Sequence, residues 1–243
     1  MKRTPKAVVG VVYPYDADID DELRQFLPTG MELRSAHTPA PTEDVTVELL
    51  IAMAENSEIE EAALELVPLR PNCIAYACTS ASFVRGVGYD EDISQRIKSK
   101  TGVAATTTST AMVNALRALG IKRVAVGAPY LDEVNEILRR FLEDSGFAVA
   151  KLHGLNMALG SEIAKLPYEE VSRLAKEADA EEADGIFVSC TGLRTAAIID
   201  ELEKELGKPV VTANQATIWD SLRIMGTKDL PGRLGELYHM AGS

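Results

Sequence analysis

Aromatic residues are scarce, at 5% of the 243-residue chain, with a single Trp. A core built without them is filled by small aliphatic side chains, which suits parallel strands covered by helices on both faces. Basic residues are outnumbered, 25 Lys and Arg against 37 Asp and Glu, for a net charge of −12. That balance argues against a nucleic-acid surface, and no Lys/Arg cluster offsets it. It also gives an anionic substrate no general attraction, so local donors must hold any anion. The three histidines, His37, His153 and His239, are isolated, and no spacing gives a metal-ligand pattern. Three cysteines without framework spacing argue against a disulfide scaffold and point to a reducing, cytoplasmic location. No apolar run approaches the roughly 18 residues of a membrane span. The run over 7–12 is too short for the core of a signal peptide. The phosphate-loop pattern is missing, and Gly86-Val87-Gly88 lacks the strand–helix setting of a dinucleotide loop. The expectation is catalysis with no metal, nucleotide or other cofactor, and with neither a membrane nor a nucleic-acid partner.

What the chain does have is 46% hydrophobic and 26% charged residues, enough for one large domain or two small ones. Short continuous apolar runs predict buried strands over 7–12, 74–77, 102–106, 123–128, 149–152, 185–189 and 209–212, with another near Leu33. Helical periodicity covers 46–66, broken near Asn56-Ser57, and then 91–100, 111–119, 131–145, 168–178, 194–206 and 217–225. In the 131–145 helix, Val134, Ile137, Leu138, Phe141 and Leu142 form one apolar stripe.

The order of elements repeats. Ile74-Ala75-Tyr76-Ala77-Cys78-Thr79 has a near-twin in Ile186-Phe187-Val188-Ser189-Cys190-Thr191. Pro14-Tyr15 is answered by Pro129-Tyr130, and the strand at 102–106 by that at 209–213, an offset of 107. Ala115 to Gly120 is answered by Ser221 to Gly226 at 106. The reading is an α/β chain of two pseudo-symmetric, flavodoxin-like parallel-sheet halves from an internal duplication. Their strand ends would face each other across a cleft, where open α/β sheets place ligands.

Two thiols on opposite walls of a cleft suit proton transfer at carbon, or addition to an activated double bond followed by rotation and departure. Cys78 and Cys190 are therefore the candidate catalytic residues. Either use needs a depressed thiol pKa, which a helix N-terminus can supply. The helix expected from 194 would serve Cys190, whereas the long loop after Cys78 offers no such help. Thr79, Ser80, Thr191 and Gly192 follow the cysteines, where hydroxyls and backbone amides can hold a carboxylate or an enediolate. Tyr130 adds a phenol at the rim. In the hydroxyl run Thr106 to Thr110, Thr108, Ser109 or Thr110 is the expected cap of the following helix, and Cys73, with no counterpart, is a packing residue.

Taken together, these residues resemble the aspartate/glutamate racemase superfamily, in the branch of maleate cis-trans isomerases and arylmalonate decarboxylases. The resemblance runs from about Val8 to Gly235 and rests on Pro14, Cys78-Thr79-Ser80, Thr106 to Thr110 with Asn114-Ala115-Leu116-Arg117-Ala118-Leu119-Gly120, Tyr130, Ser189-Cys190 and Pro209-Val210-Val211. It implies a cofactor-independent enzyme acting on a small mono- or dicarboxylate between two domains, residues 1–110 with 218–243 and residues 111–217. It makes Pro14 and Asn156 further substrate contacts, the latter within an isomerase-like stretch from Gly154 to Pro167. Decarboxylases of this branch have a glycine where this chain has Cys78, while isomerases and racemases have both thiols. By that resemblance Cys78 would add to the alkene and Cys190 would handle the proton. Asp16 stands where isomerases carry a loop with a substrate-binding Asn, and would repel a dicarboxylate if it faced the site. The Thr79-Ser80 and Tyr130 set resembles the donors of a decarboxylase. The expected function is a two-cysteine isomerase of maleate isomerase or racemase type. Decarboxylation with Cys190 as proton donor is the alternative, and a non-catalytic carboxylate-binding protein is a third. Assembly into a homo-oligomer is left open.

Overall fold

Continuous runs of Val, Ile and Ala, too apolar on both sides to face water, become the inner strands of two parallel sheets. The computed structural model describes residues 7–14, 18–39, 42, 44–228, 230–232 and 234–240. Tyr15 and Asp16 lie outside the described residues. The first half comprises β1 (Val8–Pro14), α1 (Asp20–Gln25), β2 (Glu32–Thr38), α2 (Val47–Glu55), α3 (Glu58–Leu66), β3 (Cys73–Tyr76), α4 (Thr79–Phe83), α5 (Tyr89–Thr101), β4 (Ala105–Thr107) and α6 (Thr108–Ala118). The second comprises β5 (Arg123–Ala128), α7 (Asp132–Asp144), β6 (Ala148–Gly154), α8 (Gly160–Ile163), α9 (Tyr168–Ala178), β7 (Gly185–Val188), α10 (Ile199–Leu206), β8 (Val210–Thr212), α11 (Ala213–Ile224) and α12 (Glu236–His239).

The sheets have the same topology, β2-β1-β3-β4 and β6-β5-β7-β8. Registers match as well. Val12 pairs with Tyr76 and Tyr76 with Thr107 in the first sheet; Gly127 pairs with Val188 and Val188 with Thr212 in the second. Thr107 and Thr212 are thus equivalent, 105 positions apart, so the strand alignment at 107 is two residues out. Each of these threonines caps the helix that follows, accepting from the amide of Thr110 or Gln215, so the first-half cap is Thr107 and not Thr108, Ser109 or Thr110, which lie inside α6. Loss of such a cap costs about 1 kcal/mol.

Those two helices, α6 and α11, pack on each other and join the halves. Thr108 and Thr217 share a hydroxyl–hydroxyl bond of 2.8 Å at their contact. Asp220, fully buried, accepts from Thr106 at 2.7 Å and Asn114 at 3.0 Å, and pairs with Arg223. A buried carboxylate is tolerable only with such partners. The divisions expected at 110/111 and 217/218 fall inside α6 and α11. The chain end returns to the first sheet: α11 lies on β1, β3 and β4, and Tyr238 donates to the Phe26 carbonyl at 3.2 Å.

Two helix expectations are corrected. The helix after Cys190 begins at Ile199, not 194. The amides of Thr195 and Ala196 are instead taken by the buried Glu22 carboxylate of α1, at 2.6 and 2.8 Å, which holds 194–198 as a turn. Conversely, Cys78 is followed directly by α4, a buried single-turn helix for which it is the N-cap position.

Candidate active site

Matched registers put the two thiols in matched places. Cys78 lies two residues past Tyr76 at the end of β3, and Cys190 two residues past Val188 at the end of β7. Both line one cavity between the sheets, shared with Pro14, Thr79, Ser80, Tyr130, Thr191 and Gly192. All but one of the residues picked from the sequence therefore converge. The exception is Asn156, which is exposed, sits at φ 56° and is not part of the lining. Asn tolerates the left-handed conformation, and here it serves a turn between Leu155 and Met157, whose amides bond the Ala128 and Pro129 carbonyls.

The polar wall is made of neutral groups. Among the described residues no charged side chain lines the cavity. Thr79 is 1% exposed and its hydroxyl has no hydrogen-bond partner. A buried hydroxyl in that state is costly unless a ligand oxygen completes it. Tyr130 is fully buried; its phenol accepts from Ser189 Oγ at 3.3 Å and its carbonyl accepts from Asn135 Nδ2 at 2.8 Å. Burial above all, and then the nearby Cys190 and Cys78 sulfurs, hold the phenol pKa well above its ordinary value. Tyr130 thus stays protonated beside both thiols, as a donor. Cys73, at the far end of β3, is pushed up to about 12 by burial and lies outside the cavity.

The backbone at Cys190 is unusual. Its φ is 100°, a conformation that costs a side-chain-bearing residue about 1–3 kcal/mol. Neighbouring bonds hold it there: the Ser189 amide to Gly127 O at 2.8 Å, and Thr191 Oγ1 to Ala77 O at 3.2 Å. The second bond also ties the two strand ends together directly.

The opposite wall, absent from the sequence-based list, is apolar. Val45 just before α2, Leu49, Leu50 and Met53 within it, and Ile163 and Ala164 at the end of α8 make this wall, with Thr42 and Gly160 beside them. The Val45 amide donates to Ala158 O at 2.6 Å, and Asp44 bridges to Leu159, so the two halves close over the cavity from both sides. A signal existed: α2 reads Val-Glu-Leu-Leu-Ile-Ala-Met-Ala-Glu, more apolar than one buried face requires. No helix among the described residues is long and apolar enough to cross a membrane. No group of three or more His, Cys, Asp or Glu among them could hold a metal ion.

Comparison with known proteins agrees with this geometry. The arylmalonate decarboxylase of Bordetella bronchiseptica is 33% identical over 211 residues, covering 85% of this chain and 83% of its own. A maleate isomerase of Nocardia farcinica is 28% identical over 232 residues, covering 92% and 90%. A solved cysteine-to-serine variant of the Nocardia farcinica maleate cis-trans isomerase, with a covalently bound succinylcysteine intermediate, superposes with a TM-score of 0.85 at 26% identity, covering 96% of this chain and 98% of that one. The profile of the arylmalonate decarboxylase family matches residues 53–238. With three quarters of its length inside that match, the chain belongs to the arylmalonate decarboxylase family of enzymes.

Proposed function

We propose that this chain is a two-thiol isomerase of a small carboxylate, working through Cys78 and Cys190 with neutral hydrogen-bond donors. The observation that carries it is the shared cavity: both sulfurs line it, and Tyr130 stands within electrostatic reach of both. The unpartnered hydroxyl of Thr79 and the neighbouring Ser80 supply donors for a carboxylate.

In the maleate-type reaction, the Cys78 thiolate adds to one alkene carbon, forming a C–S bond as the C=C electron pair moves toward the adjacent carboxylate. Cys190 delivers a proton to the adjacent carbon. Rotation about the new single bond, return of that proton to Cys190 and departure of Cys78 give the trans alkene. The succinylcysteine seen in the Nocardia farcinica enzyme supports this order of events. In the racemase variant of the same machinery, one thiolate removes the α-proton and the other thiol protonates the opposite face.

The apolar wall of Val45, Leu49, Leu50, Met53 and Ile163 favours a second reading, decarboxylation of a malonate bearing an apolar group. There a C–C bond breaks, CO2 leaves, its electron pair becomes an enediolate held by the donors, and Cys190 supplies the proton. One experiment separates the readings. The protein and its Cys78→Ala and Cys190→Ala variants are assayed for fumarate from maleate, for α-proton exchange of an arylpropionate in D2O, and for CO2 release from an arylmalonate. The isomerase reading expects either of the first two activities, abolished in both variants. An activity confined to CO2 release that survives in Cys78→Ala would overturn it in favour of decarboxylation, and full activity in both variants would sink the thiol chemistry altogether.

A further inference from the structure

The two sheets deliver more than equivalent thiols. Ser109 and Asn214 each occupy the second position of the helix that follows a capping threonine, α6 after Thr107 and α11 after Thr212. They too are 105 positions apart, and both are buried, at 0% and 1% exposure. Each side chain donates to the carbonyl of the residue that follows a cavity cysteine. Ser109 Oγ reaches Thr79 O at 3.2 Å, and Asn214 Nδ2 reaches Thr191 O at 3.0 Å. Neither touches the cavity.

We infer that Ser109 and Asn214 are a pseudo-symmetric pair of positioning residues, one aiming the Cys78 thiol and the other the Cys190 thiol. The inference rests on the two-thiol reading of the site. The physical case is that each bond fixes the peptide chain immediately after a thiol, and a reacting group must be held to well under an ångström. Their difference in chemistry follows the difference in the turns they hold. Cys78 runs into α4, whose own hydrogen bonds already restrain the backbone, Ser82 N to Cys78 O at 3.2 Å among them. There the Thr79 carbonyl has two hydroxyls in reach, Ser109 Oγ at 3.2 Å and Ser82 Oγ at 2.9 Å, themselves 2.7 Å apart. Cys190, with φ at 100°, runs into a turn closed by one backbone bond, Leu193 N to Cys190 O at 3.2 Å, and the next helix starts only at Ile199. The longer amide of Asn214 spans that turn, reaching Leu193 O at 3.0 Å as well as Thr191 O. A strained conformation persists only where its surroundings over-determine it, and the two bonds from Asn214 are part of that restraint.

The test reads each sulfur separately. Native protein is labelled with iodoacetate, a carboxylate small enough for the cavity, and alkylation of Cys78 and Cys190 is followed by peptide mass spectrometry, with urea-unfolded protein as the reference. In Asn214→Ala the rate at Cys190 falls about tenfold while that at Cys78 stays within about twofold, since Cys190 relaxes away from its aim. In Ser109→Ala the fall is at Cys78, and it is smaller because α4 and the Ser82 bond to the Thr79 carbonyl remain. Turnover follows, with kcat down about 10- to 100-fold in Asn214→Ala and KM little changed. Ser109→Thr, which keeps a hydroxyl, restores labelling of Cys78. If Asn214→Ala does not fold, Asn214→Ser keeps one donor and gives the same selectivity in weaker form. Equal changes at both cysteines, or none, overturn the inference. The labelling needs no substrate, so an inactive protein with cysteine-selective effects would count against the proposed reaction and not against the pair.

Discussion

Thr191 Oγ1 donates to the Ala77 carbonyl across 3.2 Å, joining the residue after one candidate thiol to the residue before the other. The bond crosses the cleft at its base, between the ends of β7 and β3, and both partners are buried. It sets the separation of the two strand ends, and so of the thiols they carry.

Thr191→Val is expected to keep the shape of the side chain and lose this tie. An unpaired buried carbonyl costs about 1–3 kcal/mol, so the thermal midpoint falls by several degrees. Activity should fall further than stability, about tenfold or more in kcat/KM, because the relative placement of the thiols relaxes. Thr191→Ser, which keeps the donor, recovers most of it. Differential scanning fluorimetry alongside kinetics checks both parts.

Cys190→Gly and Cys190→Ala should differ in an unusual direction. Glycine ordinarily destabilises relative to alanine by about 0.5–1 kcal/mol in regular structure. At φ 100° the order reverses, since alanine inherits the strain that glycine escapes. Urea titration is expected to find Cys190→Gly more stable than Cys190→Ala by about 1 kcal/mol, with both inactive.

Tyr130→Phe removes a protonated donor flanked by Cys78, Cys190 and Ser189. Loss of one donor to a developing oxyanion costs about 10²–10³ in kcat. The ring remains packed edge-on to Phe83, with centroids 6.1 Å apart, so the fold should hold. Circular dichroism unchanged beside a large drop in kcat is the expected pair of results.

Alkaline solution should unfold the protein cooperatively. Burial raises Tyr130, Tyr238 and Tyr13 above the ordinary phenol value of 10.0, and Cys73 from 9.0 to about 12. Each group keeps its proton longer in the folded state than in the unfolded chain. Their contribution is therefore complete below pH 9 and is lost as pH rises through the unfolded values toward the folded ones. Each engaged group adds a slope of about 1.4 kcal/mol per pH unit. Urea midpoints measured from pH 7 to 11 should be flat with respect to these groups up to about 9 and then fall steeply.

What the sequence determined by itself was local or repeated. Apolar runs bounded by small residues marked the strands, because a strand buried on both faces cannot carry polar side chains. Repetition of Pro-Tyr and Cys-Thr in order revealed the duplication, and with it the meeting of Cys78, Cys190, Tyr130, Thr79, Ser80, Thr191, Gly192 and Pro14. What only the tertiary structure decided came from partners distant in sequence. Glu22 captures the amides of Thr195 and Ala196, 173 and 174 residues away, and thereby denies them to a helix. The α2 residues Leu49 and Met53 face the cavity only because the segment before them is bonded to Ala158. Asn156 fits a binding pattern in sequence, yet the chain turns at that residue with φ positive and leaves it in solvent. Periodicity records which side of an element is apolar. Which distant group satisfies a backbone amide, and which apolar face meets a substrate instead of the core, is fixed only when the two sheets close on each other.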